Sequence, residues 1–326
     1  MSKTLFETTF AGLSLPTPII IGSSGLTDSI EKNKELEKAG AGALVLKSLF
    51  EEQISTDSAS LLLDGSATQS NESILNYFKT NEATHYLRLI QQTKESCRIP
   101  VIASINCYKD DLWVHFARQI EMAGADALEL NLLAINACMD QDEHCLGKNY
   151  VSIIQKLTEA VHIPVIVKMG KYFSHLVSLV NQFHVAGAAG IVLFNRLYQP
   201  DIDIHHLQIT SGNVFSTPTD ISDTLRWTSI VSSLLPHVSI ASATGIHDWE
   251  SLIKCILSGA SVVQICSTVY QNGNEIISQM LRSMEEWMQG MNFNSLDAFR
   301  GKLCYLQENI ALHERVQFMK YYSNRD

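Results

Sequence analysis

The sequence has little positive charge and no basic cluster. Its 326 residues contain 24 Lys+Arg against 34 Asp+Glu, which gives a formal net charge of −10. A surface for nucleic acid or for an anionic membrane would have to form against this overall field. We therefore expect neither a nucleic acid nor a membrane as a partner.

Paired cysteines and long apolar runs are also absent. The seven cysteines are an odd number and form no Cys-x-x-Cys pair, which argues against a disulfide framework and a structural zinc site. We expect reduced thiols and no metal. No uninterrupted apolar stretch approaches the roughly 18 to 20 residues that span a bilayer, and residues 1–10 lack the pattern of a signal peptide. The sequence therefore predicts a cytoplasmic protein.

Proline is scarce, yet four of the seven prolines mark a repeat. Each opens a short apolar run, and a glycine-containing turn 22 to 24 residues later opens a second run. Runs this short, bounded by turn residues, are typical of parallel strands buried on both faces. The four pairs are Pro18 and Gly40, Pro100 and Gly124, Pro164 and Gly187, and Pro236 and Gly259.

Segments of helical period lie between these runs and end at Gly or Pro, including Trp113–Met122, Val151–Val161 and His175–Val185. Eight strands alternating with helices, in a two-strand unit repeated four times, fit a closed barrel better than an open doubly wound sheet. The sequence thus predicts an α/β protein with the (βα)8 TIM barrel fold, as a single domain over residues 1–326.

Two connections between predicted strands are longer than the others. One follows strand 2, at about residues 50–80, and the other follows strand 6, at about residues 196–222. The first stretch contains Thr56–Asn76, which is rich in Ser, Asn and Asp. Loops this long are more often lids or binding loops than filler, although decoration without function is the alternative.

The C-terminal stretch Met284–Tyr322 has a helical pattern with Trp287, Phe299, Leu303, Leu306 and Leu312. We expect the helices from about residue 270 to pack on the barrel, and a homodimer contact is the alternative use of these apolar residues. A homodimer is the expected assembly.

Polar residues stand at the predicted strand ends, which converge on one mouth in a barrel. Lys47 and Lys168 directly continue buried strands, where an ammonium group needs an anionic or hydrogen-bonding partner. Either lysine alone is compatible with a structural ion pair; together with asparagines on neighbouring strands they favour a bound polar ligand. The full set is Ser23, Ser24, Gly25, Lys47, Ser48, Asn106, Asn131, Lys168, Asn195, Arg196, Thr244, Gly245, Cys266 and Ser267.

Short polar turns follow the last two strands, Ser242–Gly245 and Cys266–Thr268, and each precedes a predicted helix. Backbone N–H groups and helix N-termini at this position of a barrel favour a phosphate.

With these motifs the sequence resembles the dihydroorotate dehydrogenases and the related flavin domain of dihydropyrimidine dehydrogenase, over nearly the whole chain. The resemblance implies a barrel that holds FMN, with the flavin ring near the mouth and the phosphate in the turns after strands 7 and 8. It is carried by Ser23-Ser-Gly25, Gly40-Ala-Gly-Ala-Leu-Val-Leu-Lys-Ser48, Ala127-Leu-Glu-Leu-Asn131, Pro164-Val-Ile-Val-Lys168 and Gly259-Ala-Ser-Val-Val-Gln-Ile265.

The resemblance also implies roles for single residues. Lys47, Asn131 and Lys168 would approach the flavin ring or its ribityl chain, with Lys168 stabilising negative charge at the N1 and O2 end. Arg196 would suit a carboxylate or phosphate on the substrate. The implied cofactor set is Ser24, Gly25, Lys47, Ser48, Asn131, Lys168, Thr244, Gly245, Cys266 and Ser267; the implied substrate set, for a pyrimidine-like ring, is Asn131, Asn136, Asn195 and Arg196.

The sequence departs from the family where the catalytic base is expected. Soluble members continue strand 4 into Asn-x-Ser-Cys-Pro-Asn, and their Cys, or a Ser in the other class, removes a proton from the substrate. Here the segment is Asn131-Leu-Leu-Ala-Ile-Asn136, so Ala134 occupies the base position. General acid–base catalysis contributes about 10² to 10⁴ in rate, and we expect altered or impaired proton abstraction.

Other groups are candidates for the missing base, with unrelated surface residues as the alternative interpretation. Cys138 and Cys145, the latter next to His144, lie after strand 4, and a Cys and a His in contact can form an activated thiolate. Tyr198 and the pair His205 and His206 follow strand 6. The phosphate turns also depart from the family: its Gly-rich turn after strand 7 is Ala243-Thr-Gly245 here, and Cys266 stands in place of the glycine after strand 8.

Three functions are open on this sequence. The first is an FMN-dependent oxidoreductase acting on dihydroorotate or a similar dihydropyrimidine-like small molecule. The second is a catalytically silent flavin-binding partner or regulator. The third is a flavin-free lyase or isomerase on a phosphorylated metabolite, with Lys47 or Lys168 as base or Schiff-base amine.

Overall fold

The structure is a computed structural model that describes residues 5–50, 69–106, 111–133, 145–304 and 310–322. Thirteen strands occur in these ranges: β1 (Thr8–Phe10), β2 (Leu13–Leu15), β3 (Ile19–Ile21), β4 (Ala43–Val45), β5 (Leu49–Phe50), β6 (Val101–Asn106), β7 (Ala127–Leu132), β8 (Val165–Met169), β9 (Gly190–Leu193), β10 (Pro200–Asp203), β11 (Gln208–Ser211), β12 (Ile240–Ala243) and β13 (Val262–Ile265). The α-helices of the same ranges are α1 (Ile30–Ala39), α2 (Gln69–Ser96), α3 (Asp111–Met122), α4 (Cys145–Ala160), α5 (Leu176–Val185), α6 (Ile221–Leu234), α7 (Trp249–Leu257), α8 (Ser267–Asn272), α9 (Glu275–Gly290) and α10 (Ile310–Tyr322).

Eight parallel strands close into a barrel in the order β3, β4, β6, β7, β8, β9, β12, β13. The ring closes because β13 pairs with β3, with Gln264 opposite Ile20. Strand β4 pairs with β6, with Leu44 opposite Val101, and β5 adds a short pairing to β6. The predicted (βα)8 TIM barrel is confirmed, and its eight strands are the ones that the proline and glycine signals mark.

The glycine signal has a local cause. Gly40 ends α1 with φ of 107°, and its N–H donates to the carbonyls of Leu36 and Glu37. A residue in the left-handed conformation at this point closes the last helical turn. This conformation is strained for a residue with a side chain but not for glycine. The glycines that precede β7, β9 and β13 have the same positive φ, so one turn chemistry recurs four times around the barrel.

The N-terminal end of the barrel is filled. The hairpin of β1 and β2 places Phe10 and Leu15, both fully buried, against interior side chains such as Ile20 and Val192. Burial of a side chain of this size contributes about 1.5–3 kcal/mol. Apolar packing therefore leaves the opposite end of the barrel, where the strands terminate, as the place for a polar ligand.

Some predicted boundaries are wrong. Helix α2 begins at Gln69, so the last eight residues of the predicted loop Thr56–Asn76 are helical, and residues 51–68 lie outside the described ranges. Polar residues are common both in loops and in the first turns of helices, so composition did not distinguish the two. Helix α4 begins at Cys145, before the predicted start at Val151.

The long connection after β9 is not a plain loop. It contains the antiparallel hairpin of β10 and β11, in which Ile202 pairs with Ile209. Both isoleucines are exposed, so strand formation here depends on the hairpin's own backbone pairing, which composition alone did not reveal.

The C-terminal stretch divides in two. Helix α9 buries Met284 and Met288, and Trp287 packs edge-on against the fully buried Phe299. Helix α10 has no buried residue. Of the apolar residues in this pattern, Phe299 is fully buried, whereas Leu303 and Leu312 are exposed and Leu306 lies outside the described residues. None of the helices described is long and apolar enough to cross a bilayer.

Candidate functional site

A cavity of about 250 Å³ lies at the C-terminal mouth of the barrel. The ends of five barrel strands and the segment 214–216 line it. Nine of the residues predicted from sequence line this cavity: Ser23, Ser24, Lys168, Asn195, Arg196, Thr244, Gly245, Cys266 and Ser267.

A second cavity of about 610 Å³ adjoins the first, because Ser23, Ser24, Asn195 and Arg196 line both. The two volumes together fall in the range of small-molecule and cofactor sites, about 300–1,000 Å³. Three further predicted residues, Lys47, Ser48 and Asn131, line the second cavity. Gly25 lines neither cavity, but it lies next to the first one. A Cβ at Gly25 would be 2.9 Å from the hydroxyl of Tyr270, which lines the first cavity.

Lys168 presents its ammonium group at the base of the first cavity and is only 7% exposed. Its Nζ donates to Gln264 Oε1 over 3.0 Å, and Gln264 Nε2 donates to Glu129 Oε2 over 2.6 Å. Nζ also lies 3.8 Å from Glu129 Oε1. The ion-pair interpretation and the ligand interpretation of Lys168 are thus compatible, because the same ammonium group faces the carboxylate and the cavity.

Lys47 differs from Lys168 in its surroundings. It follows β4 as predicted and lines the second cavity, yet its side chain is exposed. Solvent compensates an exposed ammonium group, so Lys47 needs no protein partner.

A chain of serine hydroxyls runs from the mouth into the barrel wall. Ser23 Oγ lies 2.8 Å from Ser48 Oγ, which lies 2.7 Å from Ser104 Oγ. The N–H of Ser48 also donates to Ser23 Oγ over 2.7 Å. These bonds fix the turn after β4 against β3 and so hold the wall of the second cavity in place.

Two asparagines meet at the boundary between the cavities. Asn195 Nδ2 donates to Asn131 Oδ1 over 2.7 Å. The bond uses one donor and one acceptor, which leaves the Asn131 amide nitrogen and the Asn195 amide oxygen for a ligand with adjacent donor and acceptor groups.

The turn after β12 is held in an uncommon backbone conformation. Thr244 has φ of 76° and its hydroxyl donates to the Phe194 carbonyl over 2.9 Å. Gly245 has φ of 85°, and a Cβ there would lie 2.2 Å from the Ile221 nitrogen. Glycine is therefore required at Gly245, whereas Thr244 occupies a left-handed position that a β-branched residue rarely adopts.

The turn after β13 contacts Ser216, a residue of the long connection after strand 6 that the sequence did not single out. Ser267 Oγ accepts from the Ser216 N–H over 3.0 Å, and Ser216 Oγ lies 3.0 Å from His247 Nε2. Burial lowers the pKa of His247 and raises the pKa of the Cys266 thiol. Both side chains are therefore uncharged near neutral pH, and neither adds a fixed charge to the cavity.

Arg196 already has protein partners. Its Nη1 lies 3.4 Å from Asp220 Oδ2, and its Nη2 donates to the Asn213 carbonyl over 2.8 Å. The guanidinium group lines both cavities, but part of its charge is balanced by Asp220.

Some candidates for a replacement base lie in the part of the chain that the structure does not describe. Ala134, Asn136, Cys138 and His144 lie outside the described residues, and for Cys145 the structure describes only its place at the start of α4. The remaining candidates have other contacts. Tyr198 lines the second cavity and donates to the Thr210 carbonyl, and His206 pairs with Asp203 on the exposed hairpin that also carries His205.

The sequence interpretation missed Gln264, Glu129 and Ser216. The first two stand inside the motifs Gly259–Ile265 and Ala127–Asn131, and a polar residue in the middle of a buried strand was the available signal. No local signal marks Ser216, because its role depends on the position of a distant turn.

Comparisons with known proteins show what the chain is similar to. The family model described as dihydroorotate dehydrogenase matches residues 5–288. The dihydroorotate dehydrogenase B (NAD(+)) catalytic subunit of Thermoplasma volcanium is 25% identical over 306 residues, covering 90% of this chain and 97% of that protein. The corresponding subunit of Pyrococcus furiosus is 25% identical over 299 residues, covering 89% and 96%. The NAD-dependent dihydropyrimidine dehydrogenase subunit PreA of Escherichia coli is 22% identical over 314 residues, covering 90% and 75%.

Proposed function

The chain belongs to the dihydroorotate dehydrogenase family, and from this premise we propose that it is an FMN-dependent oxidoreductase. Its substrate is dihydroorotate or a similar dihydropyrimidine-like small molecule, and its proton abstraction differs from that of the family. The observation that carries the proposal is the buried ammonium group of Lys168 in a cavity walled by the turns after β12 and β13.

The residues of the two cavities fit FMN. The turn at Gly245 is so close to Ile221 that no Cβ fits there, and such a turn brings backbone N–H groups to the surface that a phosphate needs. The hydroxyls of Thr244 and Ser267 lie in the same wall. We therefore assign the phosphate to the first cavity and the ring to its boundary with the second.

Bound at this site, FMN would supply the hydride acceptor for oxidation of a substrate carbon atom. Lys168 supplies a positive charge where negative charge accumulates during that transfer. Asn131 and Asn195 orient the edge of the substrate ring through the amide groups left free by their mutual bond. The serine chain from Ser23 holds the wall against which the substrate packs.

The second candidate is a flavin-binding protein without catalysis, and Ala134 at the base position favours it. The third candidate, a flavin-free lyase or isomerase, has less support. A Schiff-base lysine reacts as the neutral amine, whereas Lys168 contacts both Gln264 and the carboxylate of Glu129. A homodimer is part of the proposal and is measured by light scattering during size-exclusion chromatography.

The test is the visible spectrum of the purified protein, followed by identification of any ligand that acid releases. We expect a flavin spectrum with FMN near one per chain. Anaerobic addition of dihydroorotate, dihydrouracil or reduced nicotinamides then bleaches the flavin with at least one of these reagents. Bound FMN that none of them reduces would favour the silent binding protein, and a colourless protein that takes up no FMN would contradict both.

A further inference from the structure

The feature that the proposed function leaves unexplained is Glu129 on β7. Its side chain is fully buried in the barrel interior, and Glu129 does not line either mouth cavity. Its Oε1 has no hydrogen-bond partner in the described part of the chain. Interior layers of this fold are filled by branched apolar side chains, and apolar residues would serve packing at least as well as a buried ion pair. A carboxylate at this depth therefore needs another reason.

Glu129 is the inner end of a line of three polar side chains that reaches the cavity. Gln264, on β13, donates from Nε2 to Glu129 Oε2 over 2.6 Å and accepts from Lys168 Nζ at its Oε1 over 3.0 Å. Gln264 and Lys168 both line the first cavity. Since the carboxylate can only accept, it fixes the orientation of the Gln264 amide and turns the amide oxygen toward Lys168.

The carboxylate also balances charge. Glu129 Oε1 lies 3.8 Å from Lys168 Nζ, and the two side chains are 0% and 9% exposed. Solvent screens a pair this deeply buried only weakly. A ligand at the cavity therefore meets the field of a lysine partly cancelled by a carboxylate behind it, rather than the field of an isolated ammonium group.

On these observations, and resting on the proposed function, we infer that Glu129 is a positioning residue that sets the reduction potential of bound FMN. It holds Lys168 in place through Gln264 and reduces the positive field at the flavin. Reduction places negative charge near the N1 end of the ring, so the field of Lys168 favours the reduced form and the field of Glu129 opposes this preference. The pair thus keeps the potential below the value that Lys168 alone would give.

The experiment is a spectroelectrochemical titration of the FMN-bound protein and of three variants. Glu129→Gln keeps a side chain that accepts from Gln264 but removes the charge, and we expect the affinity for reduced over oxidised FMN to rise about tenfold, which is about +30 mV for a two-electron couple. Lys168→Gln removes the opposite charge and shifts the potential downward. Thr93→Val is the control, since Thr93 is also fully buried but accepts from Asn33 and lines neither cavity, and its potential stays at the wild-type value.

An unchanged potential in Glu129→Gln, or a shift in the same direction as Lys168→Gln, would overturn the inference. If Glu129→Gln does not fold, Glu129→Asp replaces it: the shorter side chain draws the charge away from Lys168, so a smaller upward shift is expected and no shift is contradictory. A wild-type protein that binds no FMN would refute the proposed function and this inference with it. A wild-type protein that binds FMN at a potential insensitive to residue 129 would refute this inference alone.

Discussion

Asn195 donates a side-chain hydrogen bond to Asn131 over 2.7 Å, and the two residues are 64 positions apart in sequence. The bond joins the connection after β9 to strand β7 at the boundary of the two cavities. Each amide therefore has one orientation. The amide groups that remain available to a ligand are determined by this pair rather than by either residue alone.

We predict that Asn195→Ala weakens substrate binding. The change leaves the largely buried Asn131 Oδ1 without its partner, at a cost of about 1–3 kcal/mol, and removes an amide from the cavity wall. We expect KM to rise about tenfold or more, measured as the substrate dependence of flavin bleaching. Asn181→Ala, at an exposed position of α5, is the control and leaves KM unchanged; an equal KM in both variants would contradict the assignment.

Gly245→Ala should prevent FMN uptake. A Cβ at this position meets the Ile221 backbone at 2.2 Å, in addition to the unfavourable φ of 85°. Gly273→Ala is the matched control, because Gly273 has φ of 77° and no atom within 4 Å of an added Cβ. The control loses about 1–3 kcal/mol of unfolding free energy from its backbone conformation alone, φ 77° and ψ 175°, and still binds FMN. Equal FMN titrations of the two variants would show that the turn does not form the phosphate site.

Lys168→Met should reduce FMN affinity and protein stability together. Loss of a hydrogen bond to a charged group weakens binding by about 1.5–3 kcal/mol, about 10- to 100-fold. The uncompensated Glu129 costs a further 3–5 kcal/mol of unfolding free energy, on the order of other broken buried pairs. Lys171→Met is the comparison, because Lys171 pairs with Asp223 at the half-exposed surface; it costs about 1 kcal/mol or less. Both are measured by denaturant titration and FMN fluorescence.

Ala134→Cys should restore a proton acceptor at the position where the family has one. We expect the rate of flavin bleaching by dihydroorotate to rise by about 10² or more, with the largest gain at pH values where the thiol ionises. Ala134→Val changes the size without adding a base. Equal rates in the two variants would indicate that this chain uses a different proton acceptor or a different substrate.

Stability should fall as the solution is acidified, in part through His247. Burial lowers the pKa of His247 from its usual 6.5, so on acidification the unfolded chain binds this proton before the folded protein does. The stabilising contribution is present above about pH 6.5 and is lost as the pH falls through the lower, folded-state pKa. Denaturant titrations from about pH 8 to 5 should therefore show a weaker pH dependence in His247→Gln than in the wild type. His162→Gln, at an exposed position, is the control and keeps the wild-type pH dependence. If the free energy of unfolding changes with pH equally in His247→Gln and in the wild type, the prediction is contradicted.

Local chemistry explains how much of the fold was predictable. A proline or a left-handed glycine before a short apolar run acts within a few residues, and such signals located all eight barrel strands. The start of α2 and the hairpin of β10 and β11 were missed for the opposite reason. A Ser- and Asn-rich sequence is compatible with a loop or with the start of a helix, and exposed isoleucines such as Ile202 carry no burial signal.

The sequence by itself determined the closed barrel, the end at which its polar residues gather and the absence of a thiol at position 134, because strand order and side-chain direction follow from a local repeat. Only the tertiary structure decided which polar groups pair. Gln264 meets Glu129 across 135 positions of sequence, and Ser267 meets Ser216 across 51. These contacts exist only after barrel closure brings separate strands together, and the burial that makes them strong is a property of the folded interior rather than of any segment.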